Sequence, residues 1–391
     1  MEEASSKPSS RRPRRIVRRA PKKRIPDEIL QNKELQRAVS QLPANYNFEI
    51  YKTVWRVQEA KAQNVALQFP EGLLMYSTVI SDILERFTGA RCLILGDVTY
   101  GACCIDDLTA QAAGADFLVH YGHSCLVPVT VTATAHCLYV FVEILVDVDH
   151  MVECIKCTFP SETKLAVMGT IQFATSIHLA GQKLKEHYTN VVVPQALPLS
   201  PGETLGCTSP RLPEGAADAL VFVADGRFHL EAAMIHNPTV QAYRYDPYPK
   251  VLTKEGYDTP KMKSIRLSAI DQVRSAGRVG LILGTLGRQG NPQILGRLKK
   301  LLEDNGKTHF VLLLTEIFPA KLALFKDVDA WIQVACPRLS IDWGHFFDKP
   351  ILNPYEAEVA LGKEAWRDVY PMDYYANGSG SWTNMFEKRV C

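Results

Sequence analysis

The sequence predicts an α/β protein built from three similar domains with parallel sheets in a pseudo-threefold arrangement, preceded by a disordered basic tail. Three observations carry this reading. Segments 114–125 (GADFLVHYGHSC), 216–229 (AADALVFVADGRFH) and 327–340 (DVDAWIQVACPRLS) share one plan: an Asp, a short apolar strand, then a polar or small-residue loop. Each lies downstream of a helix-like stretch and of an apolar strand that opens its unit, NVALQFP at 64–70, KLAVMGT at 164–170 and RVGLILG at 278–284. Each unit also places a cysteine in a loop at a strand end: Cys103 in TYGACC, Cys207 in LGCTSP and Cys336 in VACPRL.

Taken in order, the chain divides as follows. Residues 1–24 hold ten Lys or Arg against Glu2 and Glu3, or +8, which leaves about −6 for the remainder of a chain whose total is +2. A Pro-rich basic run with few core-forming residues predicts a disordered tail over 1–26. Residues 27–60 read as helices packing on the first unit, and with it form a domain over 27–160. Its strands are expected at 64–70, 91–96, 116–121 and 138–145, with a helix over 76–87. A second domain, 161–276, alternates KLAVMGT, the helix FATSIHLAGQKLKEHY, NVVVPQ, ALVFVAD and TVQAYRYD. The third, 277–352, gives RVGLILG, the helix NPQILGRLKKLLEDNG, THFVLLLTE, the helix PAKLALFKDV and AWIQVAC. Continuous apolar strands between amphipathic helices indicate parallel sheets covered on both faces. Residues 353–391, rich in Tyr and Trp and then in Gly and Ser, read as a C-terminal extension with a loose end.

Composition narrows the function classes. With 391 residues, 47% hydrophobic and 22% charged, the chain is an ordinary globular protein with a large core. The longest apolar run, 137–148, is broken by Glu143 and Asp147 and is too short to cross a membrane. No signal-peptide pattern opens the chain, which predicts a cytoplasmic protein, with the basic tail a candidate for nuclear import or RNA contact. In that setting ten cysteines are thiols or metal ligands rather than a disulfide framework.

One soft ligand per repeat points to a metal or cluster held at the centre of the three units. Three thiolates would leave one coordination position open for a substrate. The bland alternative is packing, since free cysteine is among the most buried residue types. Against it stands the setting of these three, beside Gly101, Gly206 and Pro337 in loops and not inside strands. The repeat is imperfect: Cys103 and Cys207 precede their Asp (Asp116, Asp218) by thirteen and eleven residues, whereas Cys336 follows Asp329 by seven. All three loops can still converge, because parallel strands end on one side of a sheet.

GDVTYGACCIDD (96–107), LGCTSPR (205–211), GTLGRQGN (284–291), QVACPRLSIDWG (333–344) and YPMDYYA (370–376) resemble the motifs of the diphthamide synthase family over roughly residues 45–376. These are non-conventional radical S-adenosylmethionine enzymes of the first step of diphthamide biosynthesis. With all three cysteines present, the resemblance is to the catalytic subunit and not to its paralogue, which lacks the full triad. It implies that Cys103, Cys207 and Cys336 each bind one iron of a 4Fe–4S cluster, with Cys104 as packing. It further implies that S-adenosylmethionine is cleaved between sulfur and the γ-carbon, and that a 3-amino-3-carboxypropyl radical adds to a histidine of translation elongation factor 2. The implied partners are the paralogous second subunit, in a heterodimer, and a small cysteine-rich electron donor. The resemblance also implies that S-adenosylmethionine lies at the glycine-rich turn, near Gly284, Thr285, Arg288 and Gln289, where Arg288 would grip its carboxylate bidentately; alternatively the segment is only a tight turn.

Other residues carry weaker readings. Arg227 and His229 in ADGRFH are further candidates for that ligand, or cap the following helix. Cys154 and Cys157 form the one CxxC, read as packing on a helix face because no second CxxC completes a zinc site. His120 and His123 read as satisfied loop histidines before any orienting role, and Asp97, Asp106 and Asp107 as caps of a helix starting at 106. Two other functions fit the same cysteines: a quinolinate-synthase-like 4Fe–4S dehydratase, and a non-catalytic scaffold that docks elongation factor 2.

Overall fold

The computed structural model describes residues 24–385 except 98, 130 and 131. Most of the basic tail predicted over 1–26 lies outside the described residues, as does the end of the C-terminal extension.

Helices α1 (Asp27–Leu30), α2 (Lys33–Val39) and α3 (Ile50–Ala60), with the short strand β1 (Tyr46–Asn47), lead into the first unit. That unit runs β2 (Asn64–Gln68), α4 (Glu71–Leu74), α5 (Ser77–Thr88), β3 (Arg91–Leu95), α6 (Asp107–Ala112), β4 (Phe117–Tyr121), β5 (His136–Val140) and β6 (Glu143–Ile144). The second runs α7 (Val148–Thr158), β7 (Leu165–Gly169), α8 (Ala174–Leu184), β8 (Val191–Val192), β9 (Ala219–Val223), α9 (Phe228–His236), β10 (Gln241–Asp246) and β11 (Val251–Glu255). The third runs α10 (Thr259–Ser275), β12 (Arg278–Gly284), α11 (Pro292–Asp304), β13 (Thr308–Leu314), α12 (Pro319–Leu322), β14 (Ala330–Val334), α13 (Pro337–Trp343), β15 (Ile351–Leu352) and α14 (Pro354–Ala360).

The three sheets have one strand order. They read β3-β2-β4-β5, β8-β7-β9-β10 and β13-β12-β14-β15, each parallel throughout, so in every unit the second strand of the chain lies outside the first. The second sheet adds β11 antiparallel to β10. That hairpin is missing from the sequence reading because its strand is short and half-exposed, without the apolar run that marks its neighbours. Central strands β4, β7, β9 and β14 are buried along their whole length, as expected of sheets with both faces covered.

The Asp that marks each repeat has a single structural job. Asp116 accepts hydrogen bonds from the N–H groups of Gln63 and Asn64 at 2.9 and 3.1 Å. Asp218 accepts from Lys164 N–H at 2.9 Å, and Asp329 from Gly277 and Arg278 at 2.9 and 2.7 Å. In each unit the residue before the third strand thus fastens the start of the first, fixing register where a one-residue slip would turn the buried face outward.

Helix ends follow local chemistry. Asp258, Asn291 and Asn353 accept N-terminal N–H groups of α10, α11 and α14, each followed by Pro in the first turn. Helices α10 and α14 both pack in the core of the third sheet. The described part of the extension is well packed. Every residue of α14 is buried, and Trp382, just after the Gly/Ser stretch, packs edge-on to Tyr355 at 5.1 Å and under the Arg367 guanidinium at 4.5 Å. One large aromatic anchor offsets the chain entropy of the small residues before it.

Asp116→Ala is expected to lower unfolding stability by about 1–2 kcal/mol, the loss of two hydrogen bonds at a strand start. Urea denaturation should show a lower midpoint at unchanged slope; an unmoved midpoint would refute the fastening role.

Candidate functional site

The three cysteines meet at strand ends. Cys103 sits in a 3₁₀ turn (Ala102–Cys104) after β3, Cys207 in the loop between β8 and β9, and Cys336 at the N-cap of α13 directly after β14. They lie within electrostatic reach of one another: Cys103 feels Cys336 and Cys207, and Cys207 feels Cys336. All three are deep in the protein yet keep some accessible surface, whereas Cys104 is only 1% exposed. Thiols that are deep and still accessible line a recess, and Cys104 is packed behind it.

Burial pushes the Cys207 thiol up to about 12 and also raises Cys336. The hydrogen bond with Cys104 raises Cys103 further than its burial does, and the same shared proton lowers Cys104 to about 7. Left alone, such thiols stay protonated. A bound cation would displace those protons, since metal ligation requires the thiolate.

Two devices hold the loops together. Arg338, in the first turn of α13, donates to Gly206 O (3.0 Å), Phe228 O (2.7 Å) and Glu231 Oε2 (2.6 Å), and its Nε–H is shared between the two carboxylate oxygens of Asp342 at 2.8 and 2.9 Å. Its guanidinium also lies 4.3 Å from the centre of the Phe228 ring. One side chain therefore locks the Cys336 helix of the third unit to the Cys207 loop of the second. The second device is the turn Gly284–Gly290. Gly287 adopts φ +53°, and a Cβ there would stand 2.6 Å from Cys104 Cα, so only glycine allows the approach. Arg288 N–H donates to Cys103 O at 2.7 Å, Arg288 Nε and Nη2 grip Asp107 at 3.0 and 2.6 Å, and Gln289 Nε2 lies 3.1 Å from Cys104 Sγ.

A third layer comes from the C-terminal extension. Ser209 N–H donates to Met372 O (2.8 Å), Tyr374 N–H to Cys207 O (3.3 Å) and Tyr375 N–H to Thr208 Oγ1 (2.9 Å). Residues 372–375 are thus laid along the Cys207 loop.

Among the described residues no three His, Cys, Asp or Glu side chains are gathered closely enough to hold one metal ion. Residues 69–371 match the family described as "Putative diphthamide synthesis protein". The chain belongs to this family. It is 58% identical over 371 residues to 2-(3-amino-3-carboxypropyl)histidine synthase subunit 1 of Homo sapiens, covering 93% of this chain and 84% of that one. The Dictyostelium discoideum protein of the same name is 55% identical, covering 92% and 78% respectively. Among solved structures, Dph2 from Pyrococcus horikoshii with a 4Fe-4S cluster superposes with TM-score 0.69 at 25% identity, covering 84% of this chain and 94% of that one.

The diphthamide synthesis family motifs therefore map onto a single recess, and the residues beside it can be placed. Of the turn predicted to contact S-adenosylmethionine, Arg288 has its fork engaged by Asp107 and Gln289 rests on Cys104, while Thr285 Oγ1 meets Thr315 Oγ1 at 3.3 Å. A Cβ on Gly284 would meet Ala335 at 2.5 Å, so this glycine serves strand packing. Asp107 is not a cap but a buried partner of Arg288. Burial pushes its carboxyl up, and Arg288 with the Ala133 N–H more than offsets this, holding it below its ordinary value. Asp106 does cap α6, accepting from Thr109 N–H at 3.2 Å, while Asp97 lies on an exposed bend.

The histidines differ from the sequence reading. His120 is inside β4 and fully buried, and its Nδ1 donates to Gln68 Oε1 at 2.8 Å, which leaves Nε2 without a partner among the described residues. His123 and His229 line a cavity of about 310 Å³ between the first and second units, together with Thr170, Gln172, Leu205 and Asp225. Thr170 Oγ1 has no partner there either. Arg227 turns away to Glu255 and to Gly256 O at 3.0 Å, without capping α9 by its side chain. Cys154 is half-buried and lies 3.5 Å from His150 on α7, whereas Cys157 is exposed and does not pack on that face.

Arg338 and the Tyr374–Tyr375 pair are the residues sequence reasoning missed. A signal existed for the first: an Arg at the N-terminal end of a helix opposes the helix dipole and needs fixed acceptors.

Two outcomes follow from this geometry. Arg338→Gln removes the guanidinium shared by Glu231 and Asp342, both of which keep some contact with solvent, and should cost about 1.5–3 kcal/mol, the range for hydrogen bonds to a charged group, read as a lower thermal midpoint; a wild-type midpoint would refute the lock. Burial lowers both His123 and His229 to about 4, so between the ordinary value of 6.5 and 4 the unfolded chain binds more protons than the folded one. Stability should therefore fall as pH drops through that window, by up to about 1.4 kcal/mol per pH unit for each histidine. Urea titrations between those limits should show the slope, and His229→Gln should flatten it.

Proposed function

We propose that this chain is the catalytic subunit of 2-(3-amino-3-carboxypropyl)histidine synthase, a transferase that uses S-adenosylmethionine to modify a histidine of translation elongation factor 2 in the first step of diphthamide biosynthesis. The observation that carries the reading is the recess lined by one deep, accessible thiol from each of three like sheets. The names of the relatives and the cluster in the Pyrococcus horikoshii structure support it.

In this reading Cys103, Cys207 and Cys336 hold a 4Fe–4S cluster as thiolates. When bound, that group supplies one electron and an open iron position, which is the chemistry needed to cleave a sulfonium carbon–sulfur bond and to transfer a 3-amino-3-carboxypropyl radical. The protein's share is placement. Arg338 keeps the Cys207 and Cys336 loops in register, and its charge favours the thiolate at both. Gly287, Arg288 and Gln289 brace the Cys103 loop from behind; of the turn predicted to bind S-adenosylmethionine, Gly284 and Thr285 remain proposed contacts, and Arg288 is spoken for by Asp107. The cavity beside Leu205 offers uncharged imidazoles, hydroxyls and apolar walls to the neutral part of the co-substrate. We further propose that the paralogous second subunit completes the enzyme, in keeping with the "subunit 1" in the relatives' names, and that a small cysteine-rich protein donates the electron. Its place is the cytoplasm, with its protein substrate.

The test is anaerobic. The chain is co-expressed with the paralogue, reconstituted with iron and sulfide, and given dithionite, S-adenosylmethionine and elongation factor 2. Mass spectrometry should find one 3-amino-3-carboxypropyl group on a histidine, with methylthioadenosine released. Cys103→Ala, Cys207→Ala and Cys336→Ala should each exceed the roughly 10–100-fold losses typical of residues that only orient a ligand. A loaded wild-type enzyme that yields neither product would overturn the proposal.

A further inference from the structure

The extension that lies along the Cys207 loop carries one group with no task so far. Tyr374 is 4% exposed, and its hydroxyl has no hydrogen-bond partner among the described residues. An unpaired buried hydroxyl is unfavourable and rare enough to need a reason. Misplacement is not that reason, because the residue is pinned on both sides. Its N–H donates to Cys207 O at 3.3 Å, its carbonyl accepts from Asn384 N–H at 3.0 Å, and the preceding Asp373 accepts from Trp382 Nε1 at 3.0 Å. The phenol is held where it is by contacts that leave its oxygen empty-handed.

What surrounds that oxygen gives the reason. The phenol is within electrostatic reach of Cys207, Cys336 and Cys103, in that order of strength, and it shares a small cavity with Cys207. A phenol keeps its proton at neutral pH, so this one can act as a donor. A natural comparison sits next door. Tyr375 is equally buried and faces Cys103 and Cys207, but its hydroxyl is engaged by the Asn384 side chain. Two adjacent phenols therefore approach the same recess, one satisfied by protein and one not.

We propose that the Tyr374 hydroxyl donates a hydrogen bond to a sulfur of the iron–sulfur group held by Cys103, Cys207 and Cys336, and that this bond makes the group easier to reduce. The inference rests on the function proposed above. Its physical basis is general: a donor aimed at cluster or cysteine sulfur favours the more electron-rich state, so hydrogen bonds to sulfur raise the reduction potential. The same bond would remove the cost of the orphaned hydroxyl. Tyr374 is a tuning residue in this account, and no proton leaves it.

The test uses the full chain with its paralogous subunit, reconstituted anaerobically, and a redox titration followed by electron paramagnetic resonance. Iron and sulfide content are measured alongside. Tyr374→Phe should load fully and shift the reduction equilibrium about tenfold toward the oxidised form, about 59 mV for one electron. Tyr375→Phe should stay within about threefold of wild type, since its hydroxyl already has a protein partner. Fluorotyrosine placed at 374, a stronger donor of the same shape, should move the equilibrium the other way. Deuterium exchange should shift the iron–sulfur Raman bands of wild type and not those of Tyr374→Phe. An unmoved potential in a fully loaded Tyr374→Phe enzyme overturns the inference. Where that variant loads poorly, an unmoved potential with fluorotyrosine does so. A wild-type chain that takes up no iron overturns the functional reading itself, a different failure with a different signature.

Discussion

The guanidinium of Arg338 is bound on every side, by two backbone carbonyls of the second unit, by Glu231 and Asp342, and by the face of Phe228. Burial works against its charge, and the two carboxylates more than offset it. Such an arrangement is costly to build and costlier to break, because removing the guanidinium leaves two carboxylates and two carbonyls without their donor. That asymmetry is useful here. Three sheets of equal topology have no intrinsic reason to present their loops to one point, and a side chain that reaches from α13 to the Cys207 loop supplies the reason for two of them. The turn at Gly287 does the same for the third, by backbone contact that excludes any side chain.

Around that constraint the repeat can vary. The Asp that fastens the third strand to the first is the same in every unit, whereas the cysteine comes after the second strand in two units and after the third in the last. What is shared is the side of the sheet on which parallel strands end. The make-up of the site thus depends on which loops reach it and not on equivalent positions in the repeat.

Much of this was legible in the chain. The strand–helix alternation, the Asp marker and the three cysteines could be read because each is local: an apolar run, a spacing, a glycine or proline neighbour. The role of Arg288 could not. Its motif resembles an anion-binding turn, and only the fold brings Asp107, 181 positions away, into its fork. Tyr374 and Tyr375 stood in a motif with no role attached, since an unpaired hydroxyl is a property of packing that no spacing reveals. The packing of Trp382, just after the Gly/Ser-rich stretch, was not legible, because composition reports chain entropy and the aromatic anchor that offsets it is a single residue. Histidines 120 and 123 read as satisfied because that is the usual fate of such residues, and the departure at His120 Nε2 appears only once its neighbours are known.

The central claim is that three particular thiols line one recess while a fourth, adjacent to the first, is packed behind it. Cys103→Ala and Cys104→Ala separate these roles most directly, compared by iron and sulfide content and by Mössbauer spectroscopy of the anaerobically reconstituted chain. The account predicts that the Cys104 variant holds a full cluster with an unaltered spectrum and that the Cys103 variant does not. A full cluster in the Cys103 variant, with loss in the Cys104 variant, would contradict it.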